Sequence, residues 1–549
     1  MNWLLGSIVL LVIIYIWNSQ IQKNKIKKLY SRLKEQWAKP KQDTFFDFER
    51  IKRYHNNYAF SENTYQKISE QTANDLDLDD LFGYIDRTKS SIGQQFLYNR
   101  IREIPNQNED VELTELINFF DEDENFRLKI QAQLLLLNNK EGYYFETLFN
   151  NQTFPKSKYL KSAYILSFSF ALFILFTFYV PILFIFLIPI LALNLFIHYK
   201  NKMVVHEYLY AINQFKRTYK VAQTILNDEK IKNIANHQTF IKKLNTIEQK
   251  ATFINIEKKL DNEWLILMWI PIEFLKVAFN LEYIAFYSLI GDFYKHRKSL
   301  HELFVFIGKL DLAQTISSLK AEPTTTCKPE FTLNKQMTFQ EVYHPLIFDS
   351  IPNDLSLHNQ SLLLTGSNMS GKTTFIRTIA INSILAQTIG ICFAKKYCAP
   401  YFKIHSSIRI SDDLLNNTSY YLQEVLTIKR FIDLKESTIP CLFILDEIFK
   451  GTNTQERVSG GFAILNYLNQ SPHFVMVATH DLELVELLQD KNYAVYHFSE
   501  QILNDNLHFD YKIKSGKLET QNAIKILELY DYPKEITDEA LSVKNTFFS

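Results

Sequence analysis

The sequence is poor in glycine, with 13 in 549 residues, and it holds four cysteines, none of them in a C-x-x-C pair. That pattern argues against a structural zinc site, and it suits a reducing cytoplasm. Excess charge is also missing: 60 basic residues balance 60 acidic ones, so the whole chain offers no electrostatic footprint for gripping a polyphosphate backbone. No repeat of solenoid length recurs. The 44 Phe and 30 Tyr fall in helical stretches and read as core rather than as a base-stacking platform. Length alone suggests three or four domains.

Charge is distributed unevenly. Residues 3–17, WLLGSIVLLVIIYIW, form an uncharged apolar run that is just long enough to span a bilayer with Asn2 and Asn18. No basic residue precedes it and no A-x-A-like site follows, so an uncleaved anchor is favoured over a signal peptide. Lys23, Lys25, Lys27, Lys28, Arg32 and Lys34 come after it, which puts the N-terminus outside and the bulk of the chain in the cytoplasm. Anionic lipid headgroups account for this basic cluster at least as well as DNA does. Ser162 to Ile197 holds no charged residue in 36 positions, too long for one untilted span and suited to two with a turn at Tyr179–Pro181. Basic residues flank it on both sides, as in a hairpin with both ends cytoplasmic. The segment from Trp264, WLILMWIPIEFLKVAF, carries Glu273 and Lys276 and reads as a buried or interfacial helix.

Scarce glycine gives weight to LLLTGSNMSGKTTFIRTIA, residues 362–380. Gly366 and Gly371 enclose four residues and precede Lys372 and Thr373, between an apolar strand and a helix. Such a loop turns N–H groups toward phosphate oxygens at a helix N-terminus. Lys372 would reach the β/γ-phosphates, and the Thr373 hydroxyl would ligate Mg²⁺. In CLFILDEIFKGTNT the run Leu442–Leu445 reads as a parallel strand buried on both faces, ending in Asp446 and Glu447. Asp446 would hold the Mg²⁺ shell and Glu447 would polarise a water. HFVMVATHD ends a third strand, with His480 placed to sense the γ-phosphate or position that water.

These segments resemble the MutS family of mismatch-repair ATPases over roughly the last 240 residues. TGSNMSGKTT is similar to that family's TGPNMGGKST, LDEIFKGTNT to DEIGRGTST, and ATHDLEL to ATHYFEL. Upstream, GKLDLAQTISSLK and YHPLI followed by IPND resemble its lead-in. The resemblance implies a nucleotide site for ATP that also uses Asn368 and Thr374, with Ile351 packed against adenine. ISDDLLNNTSYYLQEV resembles the segment that reaches the other subunit. It implies a homodimer in which Ser419 contacts ATP in trans, with Glu424 on the helix behind; Ser419 alone also fits a helix N-cap. LFGYIDRTKSSIGQQFLYNRIREIP, with Asp86, Thr88 and Gly93 in place, resembles the opening of the lever domain and reads as structural.

The expected architecture is an α/β P-loop NTPase domain, a parallel sheet flanked by helices, C-terminal to an all-α lever domain with transmembrane helices. Its boundaries are an anchor at 1–20, a basic helical linker at 21–75, the lever at 76–161 and 199–320, the hairpin at 162–198 and the ATPase at 321–549. The chain departs from the family in leaving no room for a mismatch-reading domain. FSE at Phe60 fits a Phe-x-Glu wedge, but the triplet recurs at Phe498. The leading function is a membrane-tethered MutS-like ATPase acting on DNA. Alternatives are an ATP-driven structural or partner-recruiting membrane protein and an ATP-binding-cassette component. VSGGF at Val458–Phe462 mimics the cassette signature but follows the Walker B acids instead of preceding them.

Overall fold

The computed structural model describes the chain from residue 2 to residue 547, except residues 42–44, 58–63, 108–109, 151–156, 235–237, 255–270, 272, 368, 410–419, 435–437, 450, 471, 504–505, 519–523, 525–526 and 529. It divides into two compact units. One comprises residues 1–61, 85–99 and 109–322; the other comprises 62–84, 100–108 and 323–549.

The first unit is helical. Helix α1 (Asn2–Glu35) carries both the apolar run and the basic segment without a break, so the expected division at residue 20 falls inside one helix. The charge-free stretch breaks where its turn residues lie. Helix α2 (Leu160–Thr177) ends, Val180 is extended, and Pro181 opens a short 3-10 turn that leads into α3 (Leu187–Leu226). Proline suits a first helical position because the N–H it lacks would have no helical partner there. Both apolar stretches, Leu160–Thr177 and Pro181–Lys200, are long and apolar enough to cross a membrane, and they are 11% and 17% buried.

The two apolar helices pack on each other and on residues 278–283, through Phe170, Leu187, Ile190 and Ala278 and through Ala163, Ile197 and Tyr283. Here the chain breaks before α4 (Leu281–Lys295), with Asn280 in the left-handed region at φ 47°. The carbonyls at the break are satisfied by the apolar helices: Asn194 donates to Ala278 O at 2.6 Å and Ser167 to Phe279 O at 2.7 Å. A buried carbonyl without such a donor would carry its full desolvation cost. The expected helix from Trp264 lies largely outside the described residues; 273–278 are helical.

Beyond Lys200, α3 continues into the core of this unit, where Ile212, Phe215 and Ala222 are buried. The spine of that core is α5 (Arg297–Lys320), buried at every position from Leu310 to Leu319. Its polar side chains hold the Asp86–Gly93 segment. Asp311 accepts from Lys89 N and Ser90 N, both at 2.8 Å, and from Ser90 Oγ at 2.6 Å. Gln314 donates to Arg87 O at 2.6 Å. Burial raises the Asp311 pKa to about 6, against the lowering effect of these hydrogen bonds. Asp86 accepts from Thr88 N and Lys41 Nζ, at 2.8 and 2.7 Å. Gly93 faces Asp311 so closely that an added Cβ would lie 2.0 Å from its Oδ2.

The second unit holds a six-stranded sheet built from β1 (Ser361–Thr365), β2 (Lys403–Ser407), β3 (Cys441–Asp446), β4 (Phe474–Ala478), β5 (Tyr493–His497) and β6 (Lys514–Ser515). The spatial order is β6-β5-β1-β4-β3-β2, parallel throughout except for β6. All five residues of β1 and of β4 are buried, as strands covered on both faces require. A second, four-stranded sheet pairs Glu330–Thr332, Lys396–Pro400, Gln336–Val342 and Asn353–His358.

Residues 62–84 and 100–108, which the sequence places in the linker and lever, pack with this unit. Gln66 and Asp75 of the first of these segments cover the edge strand β2. The Gln66 amide donates to Ile404 O at 2.6 Å and accepts from Ile404 N at 2.7 Å, as a neighbouring strand would. Asp75 then accepts from Ser406 Oγ, Ile408 N and Arg409 N at 2.7, 3.1 and 2.8 Å. An exposed edge is thereby paired.

Gly93→Ala is expected to cost about 3 kcal/mol, because the new methyl must displace a buried carboxylate that already accepts four hydrogen bonds. Thermal unfolding of the full chain checks this; an unchanged melting temperature would contradict the packing described.

Candidate nucleotide-phosphate site

Three parallel strands end side by side, and two main-chain hydrogen bonds beyond the sheet lock their ends. Thr479 N donates to Leu364 O at 2.9 Å, and Glu447 N to Ala478 O at 2.8 Å. The residues that follow β1, β3 and β4 therefore open on one edge, where the crevice of an open parallel sheet lies.

From β1 the chain enters the Gly366–Gly371 loop and then α6 (Lys372–Ile389). Gly366 and Gly371 have φ of 148° and 106°, and a Cβ on Gly366 would lie 2.7 Å from Ser370 Oγ and 2.8 Å from Phe498 O. Only glycine fits both demands. Lys372 is buried and folds back over the loop, donating to Gly366 O and Ser367 O at 2.8 Å each. Its Nζ also lies 3.1 Å from His480 Nε2. Thr373 Oγ1 donates to Asp446 Oδ2 at 2.9 Å.

Glu447 takes the left-handed conformation at φ 54°, which a non-glycine residue adopts at a cost in strain. Its carboxylate lies 3.2 Å from His480 Nε2. That one nitrogen can accept from the Lys372 ammonium or carry a proton and donate to Glu447, but not both at once. His480 therefore links the cation of the loop to the acid of β3 in a state-dependent way.

These groups line one cleft of about 640 Å³, which Gly371, Lys372, Thr373, Thr374, Ile351, Asp446, Glu447 and His480 share. Of the residues expected at the site, Gly366 shapes the loop, and Asn368 and Ser419 lie outside the described residues. Glu424 lies on α7 (Tyr420–Asp433), buried, and accepts from Phe449 N just after the β3 acids. It ties that helix to the Glu447 loop.

The sequence reading missed three contributors. His344 lines the cleft, and burial, with Arg377 adding to it, pushes its pKa down to about 4; its Nδ1 accepts from Leu346 N at 3.3 Å, as a neutral ring can. The triplet at Phe498 supports the loop: Phe498 packs on Phe375, and Glu500 accepts from Ser367 Oγ at 2.6 Å. The glycines of VSGGF lie on α8 (Thr454–Leu468), where a Cβ on Gly461 would meet Ile448 at 2.8 Å. They let this helix approach the chain that leaves β3. Only the position of the first could have been marked in advance, by its place in YHPLI.

A MutS domain V family model matches residues 362–547. Curated relatives named DNA mismatch repair protein MutS, from Staphylococcus aureus strains JH9, Newman and N315, are each 30% identical over 281 residues. The alignment spans 49% of this chain and 32% of each relative, so the chain matches well under half the length of those proteins. The family match covers all three strand ends that form the cleft, so the residues around it are those most similar to MutS domain V.

Proposed function

We propose that this chain is a membrane-tethered MutS-like ATPase, in which ATP binding and hydrolysis in a homodimer drive movement of the lever helices, and that it acts on mismatched or branched DNA. The observation that carries the ATPase reading is the convergence of Lys372, Thr373, Asp446, Glu447 and His480 on one cleft. The relatives' printed name supports the DNA reading.

The donor set fits Mg²⁺: a hydroxyl and a carboxylate, both hard oxygen ligands, already touch at Thr373 and Asp446. Bound there, the ion would neutralise phosphate charge. Lys372 would exchange its loop carbonyls for phosphate oxygens, and the glycine loop would present its N–H groups. Glu447, held by its backbone, would orient a water and take its proton, while His480 answers to the charge on Lys372 and Glu447. Thr374 and Ile351 would complete the nucleotide contacts, with Ser419 supplied in trans by the second subunit.

The tether reading is supported by α1, α2 and α3. In the proposed orientation the N-terminus is outside the inner membrane, and the hairpin returns to the cytoplasm. Ser167 and Asn194 satisfy backbone carbonyls at the chain break beside the apolar helices, which a lipid environment demands. A second reading, an ATP-driven organiser that recruits a protein partner without DNA, is favoured by the balanced charge.

Lys372→Ala should weaken ATP binding roughly 10- to 100-fold, the worth of one or two charge-assisted hydrogen bonds. Equilibrium binding of a fluorescent ATP analogue reads this, and wild-type affinity in the variant would refute the site. Alkaline carbonate washing of cell membranes should leave the full chain in the pellet; release without detergent would remove the tether. Titration with homoduplex, mismatched and branched DNA at two salt concentrations should show ATP-dependent, salt-sensitive preference for the irregular substrates. Lys372-dependent ATP hydrolysis with no DNA binding at either salt concentration would favour the organiser.

A further inference from the structure

Cys327 and Cys392 are 65 positions apart in sequence, yet they face each other in the second unit. Cys327 N donates to Cys392 O at 2.9 Å and Cys392 N to Cys327 O at 3.0 Å. Residues that exchange both main-chain bonds in an antiparallel pair have Cα atoms about 5.5 Å apart. That separation lies inside the range of about 4.4–6.8 Å that a disulfide spans. Both cysteines are reduced, and Cys327 is partly exposed while Cys392 is buried.

From this geometry we propose that Cys327 and Cys392 form a reversible dithiol–disulfide site, in which Cys327 reacts first with a peroxide and Cys392 resolves the product. The Cys327 thiolate attacks one peroxide oxygen and becomes a sulfenic acid as water leaves. Cys392 sulfur then attacks Cys327 Sγ, forming the S–S bond and releasing a second water. Two thiols are oxidised and one hydrogen peroxide is reduced to two waters. Accessibility assigns the roles, since only Cys327 reaches solvent. The electrostatics agree: the neighbouring Cys392 thiol lowers the Cys327 pKa, whereas burial pushes the Cys392 thiol well up.

The bond would brace one wall of the cleft. Cys392 follows α6, and the next residue, Phe393, accepts from Tyr343 N at 3.1 Å. Asn382 of α6 joins both segments, accepting from Phe393 N at 2.6 Å and donating to Tyr343 O at 3.2 Å. The Tyr343 hydroxyl donates to Thr325 O at 3.2 Å, two residues before Cys327. Tyr343 itself lines the cleft. The crosslink would thus close a ring through residues that already touch.

The test is peptide mapping of the full-length protein in detergent after stoichiometric hydrogen peroxide and alkylation. It reads the bond whether or not ATP binds. The expected result is a 327–392 linked peptide, reversed by dithiothreitol, with Cys398 and Cys441 alkylated as free thiols. Cys327 left free, driven to sulfinic acid, or linked to another thiol would overturn the proposal. In Cys392→Ser, dimedone should capture Cys327 sulfenic acid in much greater yield than in the wild type. Equal capture in both proteins would remove the resolving role.

Discussion

The cleft depends on the lateral locking of three strand ends. The sheet ladder sets the register of β1, β4 and β3, but the chains diverge beyond it. Two further main-chain bonds, from Thr479 to Leu364 and from Glu447 to Ala478, carry the alignment one residue further. Lys372, Thr373, Asp446, Glu447 and His480 come from three segments scattered over more than a hundred positions, and this stitching brings their side chains within hydrogen-bond reach of one another. The positive φ of Glu447 is part of the same constraint. Its N–H is committed to β4, and from the left-handed region its side chain reaches His480.

Much of this edge was legible in the sequence, because phosphate-binding chemistry leaves residues at fixed spacing. Gly366, Gly371, Lys372 and Thr373 lie on one local strand–loop–helix unit, and each acid or histidine ends its own apolar run. The break in the charge-free stretch was legible too, since Pro181 and its neighbours interrupt a helix for covalent reasons. What escaped notice was non-local. Gln66 and Asp75 pair with β2 across more than three hundred positions, and no periodicity marks a side chain that imitates a strand. The main-chain pairing of Cys327 with Cys392 escaped for the same reason. Glu500 and the VSGGF glycines had visible patterns, but those patterns record packing against the loop and the chain after β3, not chemistry.

The helical unit solves a different problem, how to bury polar groups in the middle of a core. Its central helix brings Asp311, Gln314 and Thr315 inside, and each is paired with the Asp86–Gly93 segment or with its own helix. A carboxylate that accepts three hydrogen bonds from the crossing segment and a fourth from its own helix specifies one arrangement, where an apolar side chain would tolerate several. The absence of a side chain at Gly93 completes that arrangement by leaving room for the Asp311 side chain. Asp86 fixes the entry to the same turn by holding Thr88 and Lys41.

The unbroken course of α3 from Leu187 to Leu226 has a geometrical consequence. At about 1.5 Å per residue it is a rod of roughly 60 Å, and each residue turns it by about 100°. Its greasy end and its core end are therefore held in fixed phase: the face that carries Asn194 lies about 60° around the axis from the face that carries Phe215. Tilting or twisting one end swings the other as a crank turns a shaft, with no hinge in between to absorb the motion.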